Sequence, residues 1–188
     1  YTVQQSDEDN WHNKLIWGDN LLVMASLLRD LAGEIDLIYI DPPFATGADF
    51  SFQTTVGEEE YKVKKEQSLI EEVAYRDTWG GGAPTFLRML SDRLRLMRDL
   101  LSARGSIFVH CDWHVGHCIK LLLDDIFGSA HLINEIVWCY TGPGSPGMRQ
   151  FSRKHDTIFW YSKSDQRIFN AEDVRIPHHA KTRDNFKR

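Results

Sequence analysis

A carboxylate, two prolines and an aromatic ring follow one another at Asp41-Pro42-Pro43-Phe44, directly after the apolar run Ile35–Ile40. Neither proline can donate to a β ladder, so a strand must end there. The Asp41 carboxylate and the Pro42 carbonyl can accept hydrogen bonds from both N–H groups of an aromatic amine, which would turn its lone pair towards an electrophile. Phe44 can stack on the base. The tetrapeptide therefore predicts chemistry on a nucleobase amino group, with an ordinary proline turn as the alternative.

The elements that must position this tetrapeptide are typical of an α/β protein. Ile35–Ile40 is short and β-branched, which predicts a central strand buried on both faces of a parallel sheet. Ligands of such sheets bind at the carboxyl edge. Before it, Lys14–Trp17 predicts a short strand, and Asp19 or Asn20 caps a helix that runs to Gly33.

Apolar periodicity predicts two more helices. The first begins at Pro84 and ends at Gly105, and the second ends at Gly128. The apolar face of the first is Leu87, Leu90, Leu94, Met97 and Leu101; that of the second is Val115, Ile119, Leu122, Leu123 and Ile126.

Three further strands are predicted after the first of these helices. Ser106–Cys111 is a buried strand, and Ile133–Tyr140 and Asp156–Ser162 are joined by a loop with no room for a crossover helix. The last two should therefore pair antiparallel.

Beyond the tetrapeptide, the chain resembles the β-class DNA amino-methyltransferases, whose catalytic motif is Asp/Asn/Ser-Pro-Pro-aromatic. It is most similar to the modification subunits of type III restriction systems. The segments that carry the resemblance, in the family's order, are Trp17–Leu22, Tyr75–Trp79, Gly105–Asp112, Asn134–Trp138 and His155–Ser164. The resemblance implies an S-adenosylmethionine-dependent methyltransferase-like (Rossmann-like) fold, with a mostly parallel sheet and an antiparallel hairpin.

The resemblance also implies an activity and its residues. The enzyme would move a methyl group from S-adenosylmethionine to N6 of an adenine flipped out of duplex DNA. The alternatives are an N4-cytosine methyltransferase and a non-catalytic nucleic-acid-binding module. Asp41, Pro42, Pro43 and Phe44 would be catalytic, and Asp19, Asn20 and Asp41 would bind the cofactor. The partners would be double-stranded DNA, a second copy of the chain and a restriction (helicase–nuclease) subunit, with no membrane.

One family feature, the cofactor-binding Phe-x-Gly-x-Gly loop, is absent from the sequence. We therefore expect an N-terminal fragment that is incomplete in fold and inactive alone. Residues 1–164 would be the catalytic half of the methyltransferase domain, and 165–188 the start of a linker or target-recognition region. Within the first part, the polar segment 47–80 is interpreted as a mobile loop, with a lid over the flipped base as its functional role.

Composition fits one globular domain of 188 residues. Three cysteines without framework spacing indicate a reducing compartment, and no apolar run could span a membrane, so we expect a cytoplasmic protein. The net charge of −5 is unusual for a DNA-binding protein, but residues 149–188 hold ten Lys/Arg against five Asp/Glu. This basic region is either a solvated surface or the approach to a DNA-contacting domain.

The sequence also contains residues that suit two other kinds of site. His110, Cys111, Asp112, His114, His117 and Cys118 lie close in sequence, but their spacing matches no standard zinc pattern. We therefore predict no metal and expect His110 and Asp112 to line the site beside Asp41, with a packed structural role as the alternative. A strand ending in an aspartate also suits an NTPase, but the chain has no G-x-x-x-x-G-K-[ST] loop.

Overall fold

The structure is a computed structural model that describes residues 2–5, 12–42, 52–55, 62–65, 83–142, 149 and 151–175. Pro43, Phe44 and most of the segment 47–80 lie outside these ranges. The helices are α1 (Asn20–Leu31), α2 (Ala83–Leu100) and α3 (Gly116–Phe127), followed by a short 3-10 turn at Ser129–His131. The strands are β1 (Thr2–Gln5), β2 (His12–Leu15), β3 (Ile35–Ile40), β4 (Phe52–Thr55), β5 (Lys62–Lys65), β6 (Leu101–Cys111), β7 (Leu132–Cys139) and β8 (His155–Ser162).

The main sheet has the strand order β3-β6-β8-β7. β3 runs parallel to β6, and β8 is antiparallel to both of its neighbours. The predicted α/β class and the antiparallel hairpin, here β7 and β8, are confirmed, whereas the sheet predicted to be mostly parallel is mixed among the described strands, with one parallel pair and two antiparallel pairs. The pairs β1–β2 and β4–β5 form separate two-stranded antiparallel sheets.

The prediction that β3 is a central strand buried on both faces is wrong for the described part of the chain. β3 is hydrogen-bonded to β6 alone among the described strands and lies at the edge of its sheet. Its two faces differ, because Ile38 and Ile40 pack against the core while Leu37 is 62% and Tyr39 53% exposed. A mostly apolar run such as Ile35–Ile40, which also contains Asp36, indicates a strand that avoids water, but it does not show which neighbours cover each face.

The boundary between α2 and β6 also differs from the prediction. α2 ends at Leu100, not at Gly105, and β6 begins at the next residue. Gly105 lies inside the strand, where an added Cβ would approach the Ile35 carbonyl oxygen to 2.8 Å. The register between β3 and β6 shifts at this point. Gly105 therefore permits a close approach of two strands and does not end a helix.

The strand β2 and the helix α1, which precede β3, follow the prediction in part. β2 lies two residues earlier than the predicted Lys14–Trp17, because its ladder with β1 ends at Leu15. Asp19 caps α1 as predicted, since its carboxylate accepts from Leu21 N at 2.8 Å and Leu22 N at 3.3 Å. Gly33, with φ of 75°, follows the helix, and its N–H donates to the Asp99 carbonyl near the end of α2.

The core lies between α2, α3 and one face of the main sheet. α2 contributes Phe86, Leu90, Leu94 and Met97, and α3 contributes Ile119, Leu123, Ile126 and Phe127. The sheet contributes alternate residues, which are Ile107, Val109 and Cys111 from β6 and Phe159 and Tyr161 from β8. Strand residues at the intervening positions point to the opposite face. Asp41 and His110 belong to this second face of the sheet.

Among the described helices, none is both long enough and apolar enough to cross a bilayer.

Candidate active site at the carboxyl edge of the sheet

Asp41 follows the last residue of β3 at the carboxyl edge of the main sheet. Its side chain is 57% exposed, and Pro42, next in the chain, is half-buried. Asp41 is thus accessible to a large ligand, and the two acceptors predicted from the sequence are adjacent. Pro43 and Phe44 lie outside the described residues.

His110, near the end of β6, lies beside Asp41 as expected. Its Nδ1 atom is 3.4 Å from Asp41 Oδ1 and 3.3 Å from the Tyr39 hydroxyl oxygen. The ladder explains this contact. Tyr39 pairs with Phe108, so the residues two positions further along each parallel strand, Asp41 and His110, meet on the same face.

The other ring nitrogen of His110 faces a second carboxylate, Asp156 at the start of β8. His110 Nε2 and Asp156 Oδ2 are 3.5 Å apart, and the Asp156 side chain is only 19% exposed. His110 pairs with Ile158, two residues after Asp156, so the two side chains are diagonal neighbours across the antiparallel ladder.

β7 supplies the aromatic part of this site. Trp138 stacks on the His110 ring, with ring centroids 5.8 Å apart and an interplanar angle of 19°. Tyr140 lies near Asp156: partial desolvation, followed by the charge of this carboxylate and the hydrogen bond that it accepts, raises the pKa of the Tyr140 phenol. At neutral pH the phenol is therefore protonated and donates to Asp156. All four strands of the main sheet thus contribute to one cluster.

The residues predicted to bind a cofactor, Asp19 and Asn20, form a separate group. Arg93 of α2 donates from Nε to Asn20 Oδ1 at 2.5 Å, and its Nη2 is 3.9 Å from Asp19 Oδ1. Asp19 is 55% exposed, and its cap bonds and its ion pair all use Oδ1. No hydrogen bond or ion pair in the described ranges joins Asp19 or Asn20 to Asp41.

Asp112 does not contact Asp41 but holds the turn after β6. It accepts hydrogen bonds from the His114 backbone N–H and ring Nδ1, and the His114 ring stacks on Trp113 with centroids 3.6 Å apart. The Arg153 guanidinium lies over Trp113, 3.8 Å from the ring centroid. This cation–π contact fastens the segment before β8 to the turn after β6.

The histidines, cysteines and aspartate between His110 and Cys118 are close in sequence but do not form a metal site in the described structure. In the described ranges, no three His, Cys, Asp or Glu side chains converge as a metal site would require. Cys111 is fully buried, and its thiol donates to the Thr157 carbonyl oxygen. Burial, together with the nearby carboxylates of Asp112, Asp156 and Glu135, raises the pKa of Cys111 to about 12. It stays a thiol at neutral pH and is not a nucleophile.

Several contact residues of the site were not predicted from the sequence. These are Tyr39, Trp138, Tyr140, Asp156 and Arg93. A signal for Tyr39, Trp138 and Tyr140 exists in the period-2 alternation, since Tyr39 precedes Asp41 by two positions and Trp138 precedes Tyr140 by two. Arg93 carries no comparable signal, because it belongs to the polar side of an amphipathic helix.

The comparisons with known proteins agree with this fold. The DNA methylase family, of N6 and N4 methyltransferases, matches residues 35–188. The type II methyltransferase M.EcaI of Enterobacter cloacae is 34% identical, over 84% of this chain and 31% of that protein. The Mod subunit of the type III restriction-modification enzyme EcoP15I of Escherichia coli is 29% identical, over 92% of this chain and 28% of that protein.

One solved structure adds to the assignment of the fold. The PvuII DNA methyltransferase, described as cytosine-N4-specific, superimposes with a TM-score of 0.53 at 16% identity, over 86% of this chain and 53% of that chain. This likeness shows that the chain has the fold of a DNA methyltransferase.

Because the family match covers most of its length, this chain belongs to the DNA methylase family. The predicted relationship to type III modification subunits is confirmed, and type II methyltransferases are relatives as well. The chain spans less than a third of the length of either relative.

Proposed function

We propose that the whole protein to which this chain belongs transfers a methyl group from S-adenosylmethionine to the N6 amino group of an adenine in double-stranded DNA. The observation that carries this proposal is the exposed Asp41 carboxylate, followed by Pro42 at the carboxyl edge of the sheet, in a chain of the DNA methylase family. The target base must leave the stack to reach such an edge, at a cost of about a few kcal/mol.

Asp41 and Pro42 act on the amine in this proposal. The Asp41 carboxylate and the Pro42 carbonyl accept hydrogen bonds from the two N–H groups of the amine and turn its lone pair towards the electrophile. The amine nitrogen becomes positive as it forms the new bond, so the anion stabilises the transition state more than the free base. Phe44 supplies the stacking surface. No enzyme nucleophile is required, in agreement with the buried Cys111 thiol.

The chain offers one group of residues with the right chemistry for the cofactor. The cofactor supplies the methyl group when bound. Asp19 presents an exposed carboxylate at the N-terminus of α1, and only its Oδ1 atom is used by the cap bonds and the ion pair with Arg93. We assign Asp19 and Asn20 to the adenosine end of the cofactor, with Asn20 oriented by Arg93. The methionine end needs a glycine-rich loop, which this sequence lacks.

Double-stranded DNA is the proposed macromolecular partner. Arg149 and Arg153 are exposed in the basic part of the chain, where they are suited to phosphate contacts. The type III relatives are Mod subunits of restriction-modification enzymes, so a restriction subunit is a further proposed partner. A second copy of the chain is another. The three cysteines are free, which agrees with a cytoplasmic location.

The test is to incubate the full-length protein, and not the 188-residue chain alone, with methyl-labelled S-adenosylmethionine and duplex DNA, digest the DNA, and separate the nucleosides. Label in N6-methyladenine is the expected result, and the Asp41→Ala variant serves as the control for enzyme-dependent transfer. Label in N4-methylcytosine alone would show the cytosine alternative. DNA binding without any labelled nucleoside would indicate a binding module.

A further inference from the structure

We propose that His110 is a positioning residue for the methyl transfer, which fixes the Asp41 carboxylate in the orientation that the target amine requires. The inference rests on the proposed function and adds to it a residue outside the Asp-Pro-Pro-Phe tetrapeptide. Its basis is the contact of 3.4 Å between His110 Nδ1 and Asp41 Oδ1.

Asp41 needs such a partner because its own surroundings restrain it little. Its side chain is more than half exposed, and His110 is its ion-pair partner in the described ranges. An exposed aspartate exchanges between side-chain rotamers. With the hydrogen on Nδ1, His110 donates towards Oδ1, which leaves Oδ2 directed at the ligand. A displacement of about 1 Å in a catalytic group can cost on the order of 100-fold in rate.

His110 is suited to this role because it is itself held from several sides. Only 9% of the residue is exposed. Trp138 covers one face of the ring, Asp156 lies at Nε2, and the Tyr39 hydroxyl lies at Nδ1. These contacts come from three different strands, so the orientation of the ring is set by the sheet and not by a loop.

A positioning role explains the geometry better than a proton relay. The methylated amine must lose one proton, and a relay would pass it from Asp41 through His110 to Asp156. The exposed Asp41 can instead release the proton directly to water. The route through His110 is therefore unnecessary, whereas in the described ranges His110 is the ion-pair partner that restrains Asp41.

Three substitutions separate the two sides of the ring. His110→Asn keeps a donor near the Nδ1 position, His110→Gln keeps one near Nε2, and His110→Ala keeps neither. We expect His110→Ala to lower kcat about 10- to 100-fold, as is typical for removal of an orienting partner. KM for DNA and for S-adenosylmethionine should stay within about twofold of wild type, because the binding groups are unchanged. His110→Asn should recover most of the loss, and His110→Gln should not.

The experiment is single-turnover methylation of duplex DNA by the protein and these variants, with thermal unfolding to confirm that each is folded. His117→Gln, an exposed histidine on α3, is the matched control and should retain wild-type kcat. The discriminating comparison is made in the Asp41→Ala background. If His110 acts through Asp41, adding His110→Ala there should change kcat less than twofold.

The outcomes separate this inference from the proposed function. Rescue by Asn together with non-additivity supports it. A His110→Ala protein with wild-type kcat overturns it, and so does a loss that is undiminished in the Asp41→Ala background. A full-length wild-type protein that methylates no DNA would instead refute the proposed function, and the inference with it.

Discussion

Replacing Asp41 with alanine is the most direct perturbation of the proposed chemistry. At the transition state about half a positive charge develops on the amine nitrogen, roughly 3 Å from the carboxylate. Coulomb's law gives about 2.8 kcal/mol at an effective dielectric constant near 20, and about 0.7 kcal/mol in bulk water. In the proposed complex, the flipped base and DNA would cover the Asp41 side chain, which is 57% exposed in the free protein, so the larger value is the expected one. It corresponds to a loss of about 100-fold in turnover.

The assay is single-turnover methylation at saturating cofactor and DNA, which isolates the chemical step from binding. Asp41→Asn keeps an acceptor oxygen without the charge, and it should lose less activity than Asp41→Ala. Asp36→Ala is the matched control, because Asp36 lies on the same strand and bonds to Ser102 Oγ at 2.7 Å, away from the site. It should retain wild-type turnover.

The result that refutes this reasoning is a folded Asp41→Ala protein with near-normal single-turnover methylation. Equal losses for Asp41→Ala and Asp36→Ala would also contradict it, because they would indicate damage to β3 and not loss of a charge. Far-ultraviolet circular dichroism and thermal unfolding of each variant show whether the strand is intact.

Four further predictions follow from the site and the core. Asp19→Ser keeps a helix cap but loses the charge, so calorimetry should show weaker cofactor binding, and unchanged affinity would leave Asp19 only its capping role. Phe44→Ala should reduce DNA binding and turnover while Phe44→Tyr retains them, and equal damage by Tyr would rule out stacking. Cys111→Ser should keep normal turnover, and Cys111 should resist iodoacetamide at pH 8, because its thiol is buried with its pKa raised to about 12. Tyr161→Phe removes the 2.7 Å bond to Asp124, whose pKa, despite partial desolvation, is lowered by Lys120 and Tyr161. In urea unfolding, the substitution should lower the free energy of unfolding by about 1.5–3 kcal/mol at pH 7. A carboxyl group whose pKa is lowered by folding stabilises the protein above its unfolded pKa of 3.8, and this stabilisation is lost as the pH falls below that value. The difference in stability between wild type and variant should therefore shrink below pH 3.8.

Local signals in the sequence were sufficient for much of the fold. The cap at Asp19, the end of β3 at Asp41, and the end of α3 at Gly128 each depend on residues within a few positions of the boundary. The antiparallel β7–β8 pairing could be predicted because a short connection without a helix allows little else. Such features are determined by residues that are close together in the sequence, so a single sequence is enough to predict them.

The sequence could not supply the features that depend on distant residues. Gly105 is a good helix terminator by residue type, but its function is set by the Ile35 carbonyl 70 positions away in sequence. The edge position of β3 likewise depends on which strands pair with it. The contact between Arg93 and Asn20 requires the packing of α2 on α1, which no local pattern reports.

The geometry of the site divides two requirements between two residues. A group that acts on a DNA base must be reachable by a very large substrate, yet it must also keep one orientation. Asp41 meets the first requirement, because it follows an edge strand and is exposed. His110 meets the second, because it lies one strand inward, where Trp138 and Asp156 hold its ring. The parallel register between β3 and β6 joins them by bringing the ends of an exposed and a buried strand together on one face. In the proposed mechanism, strand pairing therefore lets a buried histidine orient an accessible carboxylate.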